Sequence, residues 1–505
     1  MRNLLNTCGR VAWLLLIALL ALPSLAVQAQ QVGAPVPQEA PPPPAAPRSV
    51  NIPKPDEKTL KNSLRVVVIE DHDVPLVSAQ LLVKNGGEID PPQLSGLADM
   101  TASLLTKGTK TRSAPEIAQQ IEALGGAIDS GAGWDASRAS INVMSSRIEP
   151  ALLILADICR NPVFNDEEIE RLRQQYLDSL SVTLRQPGAL ASLVAGRVVF
   201  GDAAYGHPLS GTPESLARIK RTDIVVLHSK FYRPDNAVLV IGGDINAADA
   251  FKLAERLFGD WVKPAAPLSE RGMVGKMINP DEKQRVVVVD MPDAGQAAVV
   301  LARAGISRTD PDYFRGIVTN AVLTGYSGRL NQEIRIKRGL SYGASSRLDT
   351  RRDAGPFVAS AQTKNTSGAD VASLLIGELG RLSNEPVAAA ELVPRKAVLT
   401  GGFGRALETT EGLAAQIASL SLYGLSLSEI NNFISNVHSV TPADIQKFAS
   451  GRISVKNANI IIVGSAKDFL EPLRKRFSNV EVIPLAELDL NSASLRKTAA
   501  AATNE

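Results

Sequence analysis

Cysteine and histidine are scarce in this chain, and the scarcity excludes chemistry. Of two cysteines in 505 residues, Cys8 lies ahead of an N-terminal apolar run, so the mature chain would keep Cys159 alone and could form no internal disulfide. Its apolar neighbours in "LILADICRNP" mark it as a buried structural thiol. Phosphate-cradling loops are missing too: no G-x-G-x-x-G follows the opening strand pattern and no G-x-x-x-x-G-K-[ST] occurs. Nor does one sign of charge dominate. The 54 basic and 52 acidic residues are interspersed and leave a formal net charge of +2, so there is no concentrated basic face for phosphates and no nucleic-acid partner is expected.

What is present begins with a leader. Arg2 and Arg10 precede "VAWLLLIALLALPSLAV", and Val27-Gln28-Ala29 suits a signal-peptidase cut after Ala29. The apolar run is broken by Pro23 and is short beside the roughly 20 residues of a spanning helix, so a cleaved signal peptide (1–29) is expected rather than a stable membrane anchor. The expected location is periplasmic or secreted. Residues 30–61 are proline-dense and read as a linker, with folded structure expected from near Asn62.

An internal repeat follows. "SLRVVVIED" (63–71) answers "KQRVVVVDM" (283–291), with Arg65 and Arg285 220 positions apart. "TDIVVLHSKFYRPDNAVLVIGGD" (222–244) answers "ADIQKFASGRISVKNANIIIVGS" (443–465), with Asp223 to Asp444 and Asn236 to Asn457 each 221 apart. Nearly one offset at distant marks argues for duplication. Each half opens and closes on a β-branched strand with helical patterns between, for example 166–186 with Ile169, Leu172, Tyr176, Leu177 and Leu180 on one face. The fold class expected is α+β: two homologous halves, each a sheet packed with helices, closing as a clamshell. The halves are bounded at 62–265 and 283–484, with a linker at 266–282 and a tail at 485–505.

Within the first half, "GLADMTASLLTKGT" (96–109) reads as a helix capped by Ser95 and running to about Thr106. Asp99, Ala102 and Ser103 share one face, at the spacing of the zinc motif H-x-x-E-H. The surrounding "SGLADMTASLLTKGT" resembles the signature of the pitrilysin/insulinase metallopeptidase family, which includes mitochondrial processing peptidase. "GGEID" (86–90), "LGGAIDSGAGWDASRASINV" (124–143), "AYGHPLSGTPESLARI" (204–219) and "FYRPDNAVLVIGGDI" (231–245) are similar to further segments of that family. The ligands are not. Asp99, Ala102 and Ser103 replace His, Glu and His, and the third ligand implied by the resemblance would fall near Asp178 or Ser179. None of His72, His207, His228 and His438 lies on the helix, and a pair of Asp carboxylates offers too few oxygens for Mg²⁺ or Ca²⁺. No metal or other cofactor is expected in this chain. The helix reads as packing, with Leu97, Leu104 and Leu105 serving the core.

The second half carries "SGRLNQEIRIKRGLSYGASS" (327–346), which resembles the family segment that brings an Arg and a Tyr, spaced R-x6-Y, to a facing zinc site. Here these are Arg335 and Tyr342. The resemblance implies a zinc-free subunit whose Arg and Tyr assist peptide hydrolysis at the zinc of a homologous partner. It also implies that the glycine-rich strand holds extended peptides at its edge, near Gly126, Ala127 and Trp134. The alternative is a scaffold or peptide-binding protein with the metallopeptidase fold. Whether 401–424 touches substrate or only packs stays open.

Overall fold

Runs of β-branched residues become the central strands here, and these are apolar almost throughout because both faces of each sheet are covered at its middle. The computed structural model describes residues 53–268 and 284–497. The expected signal peptide, most of the proline-rich linker and most of 266–282 lie outside the described residues. The first half forms β1 (Asp56–Thr59), β2 (Arg65–Glu70), β3 (Leu76–Val83), β4 (Ala127–Ala132), β5 (Ser137–Met144) and β6 (Ala237–Gly243), in sheet order β1-β2-β6-β3-β5-β4. The second half forms β7 (Val286–Asp290), β8 (Ala297–Ala304), β9 (Ala344–Leu348), β10 (Pro356–Thr363), β11 (Asn459–Gly464) and β12 (Val480–Pro484), in order β12-β7-β11-β8-β10-β9. The fold is α+β in two halves.

The duplication is visible atom by atom. β2 runs parallel to β6 as β7 does to β11, and the next three pairings of each sheet are antiparallel. Asp223 and Asp444 both sit in a helix first turn and accept the amide three residues back, from Lys220 at 2.8 Å and Thr441 at 2.9 Å. Asn236 and Asn457 each end the single turn that leads into β6 or β11. Arg65 pairs with Glu57 of β1 and Arg285 with Glu481 of β12, so both sheets gain an outer strand, one from the N-terminal side and one from the C-terminal side. β1 therefore lies inside the stretch read as linker: the DEKT run is too polar to signal a strand, and its four exposed residues are held by pairing with β2.

Each half covers its partner. One face of the first sheet packs on its own helices, through Val66, Val68, Ala79 and Leu81. The other face, with Val67, Ile69, Val238 and Val240, is closed by Leu413, Ala414 and Ile417 of the helix Thr410–Leu422, which belongs to the second half. Reciprocally, Leu190, Ala191 and Val194 of Pro187–Phe200 close Val287, Val289, Val300 and Ile461 of the second sheet. The helix inside 401–424 is thus a packing element. Residues 485–497 also stay on the body, with Leu490 and Leu495 buried and Arg197 donating to the Leu490 carbonyl at 3.0 and 2.8 Å.

Candidate functional site

The helix at the degenerate metal motif spans Leu97–Ser103, with a further turn at Leu105–Lys107. Its cap is not Ser95. Gly96 is the N-cap with φ 94°, which turns Ser95 away to donate to the Ser215 hydroxyl at 3.0 Å. Asp90, from "GGEID", takes over and accepts the amides of Gly96 and Ala98 at 2.9 Å each. Burial raises the Asp90 carboxyl well above the usual carboxylate range. Leu97, Leu104 and Leu105 are buried in the first core, as is Cys159.

The three degenerate positions split. Ala102 is wholly buried. Asp99 and Ser103 join a hydrogen-bonded network with Tyr176, on the helix Asp166–Thr183, and with Ser210. Ser210 donates to Asp99 at 2.9 Å, Ser103 and Tyr176 hydroxyls lie 2.9 Å apart, and the Ala132 amide and Tyr176 hydroxyl also bond Asp99. Burial raises both the Asp99 carboxyl and the Tyr176 phenol above their ordinary values. A single shielded carboxylate already accepting several hydrogen bonds, with two neutral hydroxyls beside it, does not fit zinc. Asp178 and Ser179 are exposed on that helix, with Asp178 accepting Gln174 at 2.9 Å; Tyr176, one turn earlier, is the residue that faces the motif. Among the described residues no group of three His, Cys, Asp or Glu could hold a metal ion.

Arg335 and Tyr342 are placed very differently. Arg335 sits on a π-helical turn, Gln332–Ile336, where Lys337 donates to the Gln332 carbonyl at 2.9 Å. Tyr342 precedes edge strand β9 and is 89% exposed. The two line one cavity of about 890 Å³, whose other wall is the first turn of Pro187–Phe200 from the first half. Lys337 and Arg338 both pair with Glu333, but among the described residues no carboxylate pairs with Arg335; its guanidinium lies 5.3 Å from the Tyr326 ring. A planar guanidinium and a phenol lining such a cavity can both donate to a peptide carbonyl.

The expected peptide edge is divided. β4 is an edge strand of its sheet, as expected. Gly126 and Ala127 line a cavity of about 440 Å³ at its start, and a Cβ on Gly126 would lie 2.4 Å from Val143 Cγ1, so glycine is needed there for close packing on β5. Trp134 stands beyond the other end and does not share that surface. It packs edge-on against Tyr205 at 5.6 Å and beneath the Arg351 guanidinium at 4.4 Å, where the β4–β5 and β9–β10 hairpins of the two halves meet.

Residues that sequence reasoning missed hold this junction. The Arg352 guanidinium donates to Glu88 at 3.0 Å, the Lys84 carbonyl at 3.1 Å and the Asp135 carbonyl at 2.9 Å, while its amide donates to the Asp135 carboxylate at 2.8 Å. Tyr423 donates to the same carboxylate at 3.1 Å. Glu88, Asp135 and Tyr423 lie in segments already marked in the sequence (86–90, 124–143 and 401–424), but nothing there pointed to Arg352.

Residues 65–195 match the family model described as insulinase (peptidase family M16), and residues 218–399 match the model described as the peptidase M16 inactive domain. The chain belongs to the insulinase (M16) peptidase family. An uncharacterized zinc protease of Rickettsia bellii is 28% identical over 411 residues, covering 80% of this chain and 96% of that one. Another of Streptomyces coelicolor is 25% identical over 418 residues, covering 81% and 89%. Among solved structures, a peptidase M16 inactive domain from Pseudomonas fluorescens superposes with TM-score 0.75 at 26% identity, over 81% of this chain and 98% of that one. A Helicobacter pylori protease, at TM-score 0.72 and 20% identity over 82% and 100%, shares the fold. The match to the family's inactive domain thus falls on residues 218–399, and the match to the insulinase model on the part that contains Asp99, Ala102 and Ser103.

Proposed function

We propose that this chain is the zinc-free subunit of a heterodimeric M16 peptidase that acts on extended peptides in the periplasm or outside the cell, after removal of the leader. The partner is a homologous chain that carries zinc. This chain contributes two donors: Arg335 orients the peptide by its carbonyls, and Tyr342 donates to the oxygen that gains negative charge when water adds. One observation carries the reading: Arg335 and Tyr342 line a single open cavity, and Arg335 has no carboxylate partner among the described residues. Groups kept only for stability tend to be satisfied internally.

A second reading, a scaffold or peptide-binding protein, draws on the Asp99–Tyr176–Ser103 network, which ties the degenerate motif to its neighbours by hydrogen bonds. Mixing the mature chain with a relative bearing H-x-x-E-H and following cleavage of an unfolded peptide separates the two. The subunit reading expects cleavage above that of the relative alone and a drop with Tyr342→Phe; equal rates with and without this chain support the scaffold.

A further inference from the structure

The large cavity is electrically one-sided. Its walls carry the amides of Gln186, Gln296, Gln362 and Asn331 and several serine hydroxyls, and among the described residues its only charged lining residue is Arg335. The opposite wall begins with the first turn of Pro187–Phe200, which has no acidic residue and whose N-cap, Gln186, makes no side-chain capping bond. Neutral dipoles and one guanidinium leave a full positive charge for an incoming ligand to offset. A peptide carbonyl supplies only partial charge.

We propose that this cavity selects peptides that carry a carboxylate, held by Arg335. A guanidinium has five donors in a fixed fork, more than one carbonyl can use, so one edge can take a carboxylate in two parallel bonds while the remaining donors reach the backbone. The neutral amides and hydroxyls match the alternating donors and acceptors of an extended chain, and the outer edge of β9, where Ala344 and Ser345 line the cavity, is unpaired among the described strands. The carboxylate could be an acidic side chain or the peptide's own C-terminus; the chemistry at Arg335 is shared. The proposal rests on the reading of this chain as a peptide-handling subunit.

Binding to the mature chain alone, without any zinc-bearing partner, tests it. Short unstructured fluorescent peptides, identical except for Glu, Gln or Lys at a central position and all amidated, are titrated by anisotropy, together with the Gln peptide bearing a free C-terminus. The Glu peptide should bind about 10-fold more tightly than the Gln peptide, and Lys more weakly than Gln. Tighter binding of the free C-terminus instead would assign the carboxylate to that source. Arg335→Gln should remove the preference and Arg335→Lys keep part of it. Ala189→Glu, which adds an acid to a helix first turn where acids are tolerated, should also abolish it. Equal binding of all four peptides, or a carboxylate preference that survives in Arg335→Gln, overturns the proposal. Cleavage by the mixture with a zinc-bearing relative is scored separately: selective binding without cleavage leaves this inference standing and sinks the heterodimer reading, and cleavage without selectivity does the reverse.

Discussion

The helix Leu97–Ser103 and the segment around Arg335 both carry polar side chains at the two candidate sites, and these are handled in opposite ways. In the first, Asp99, Ser103 and Tyr176 find partners within the fold. In the second, Tyr342 stands in solvent and Arg335 has an aromatic neighbour but, among the described residues, no carboxylate partner. Satisfied polar groups stabilise the fold they sit in; unsatisfied ones at a cavity mouth are available to a ligand. On the proposed reading, the difference separates a helix whose polar groups serve the fold from a segment whose polar groups can meet a ligand.

The largest test of that contrast lies at the junction between the halves. Arg352→Ala would leave Glu88 buried without its cation, and stability should fall by about 3–5 kcal/mol. Urea denaturation measures this; a loss below 1 kcal/mol or so would mean that solvent reaches Glu88 and the junction is not a sealed ion pair. Next comes the exchange of helices. Leu413→Ala removes a buried side chain and should cost about 2–5 kcal/mol, with faster amide exchange in β2 and β6 of the other half. Leu190→Ala should do the same to β7 and β11, so loosening confined to the mutated half in either case breaks the reciprocity.

Asp99→Asn sharpens the comparison through pH. Burial holds the Asp99 carboxyl above its ordinary value, so the folded chain keeps a proton that the unfolded chain loses as pH rises past about 4. Wild-type stability from this group is full at low pH and is lost as pH rises toward its folded value. The Asn variant lacks that loss, so its denaturation midpoint should gain on wild type between pH 4 and pH 8. Parallel profiles would mean that Asp99 is solvated. Smallest of all, Tyr342→Phe should change stability by less than about 0.5 kcal/mol, as expected of an exposed side chain.

Much of this was legible in the sequence, and for physical reasons. Two halves and an α+β fold followed from matched marks such as Asp223 and Asp444, because a first-turn carboxylate does the same work wherever the helix recurs. The exchange of helices was not legible: an apolar face at Leu413 or Leu190 says that it is buried, not against which sheet. Ser95 looked like a cap because serine usually is one, but Gly96 at positive φ handed that role to Asp90, six residues earlier. The packing of Trp134 was not legible either: its neighbours in space, Arg351 and Tyr205, are remote in sequence and carry no mark that links them to it.

The most direct measurement is peptide cleavage by the mature chain alone, by a zinc-bearing relative alone and by the two together, each with wild type and Arg335→Ala. The account predicts no cleavage by this chain alone, cleavage in the mixture, and a loss of about 10²–10³ in the mixture with Arg335→Ala. Chelator-sensitive cleavage by the isolated chain would contradict it.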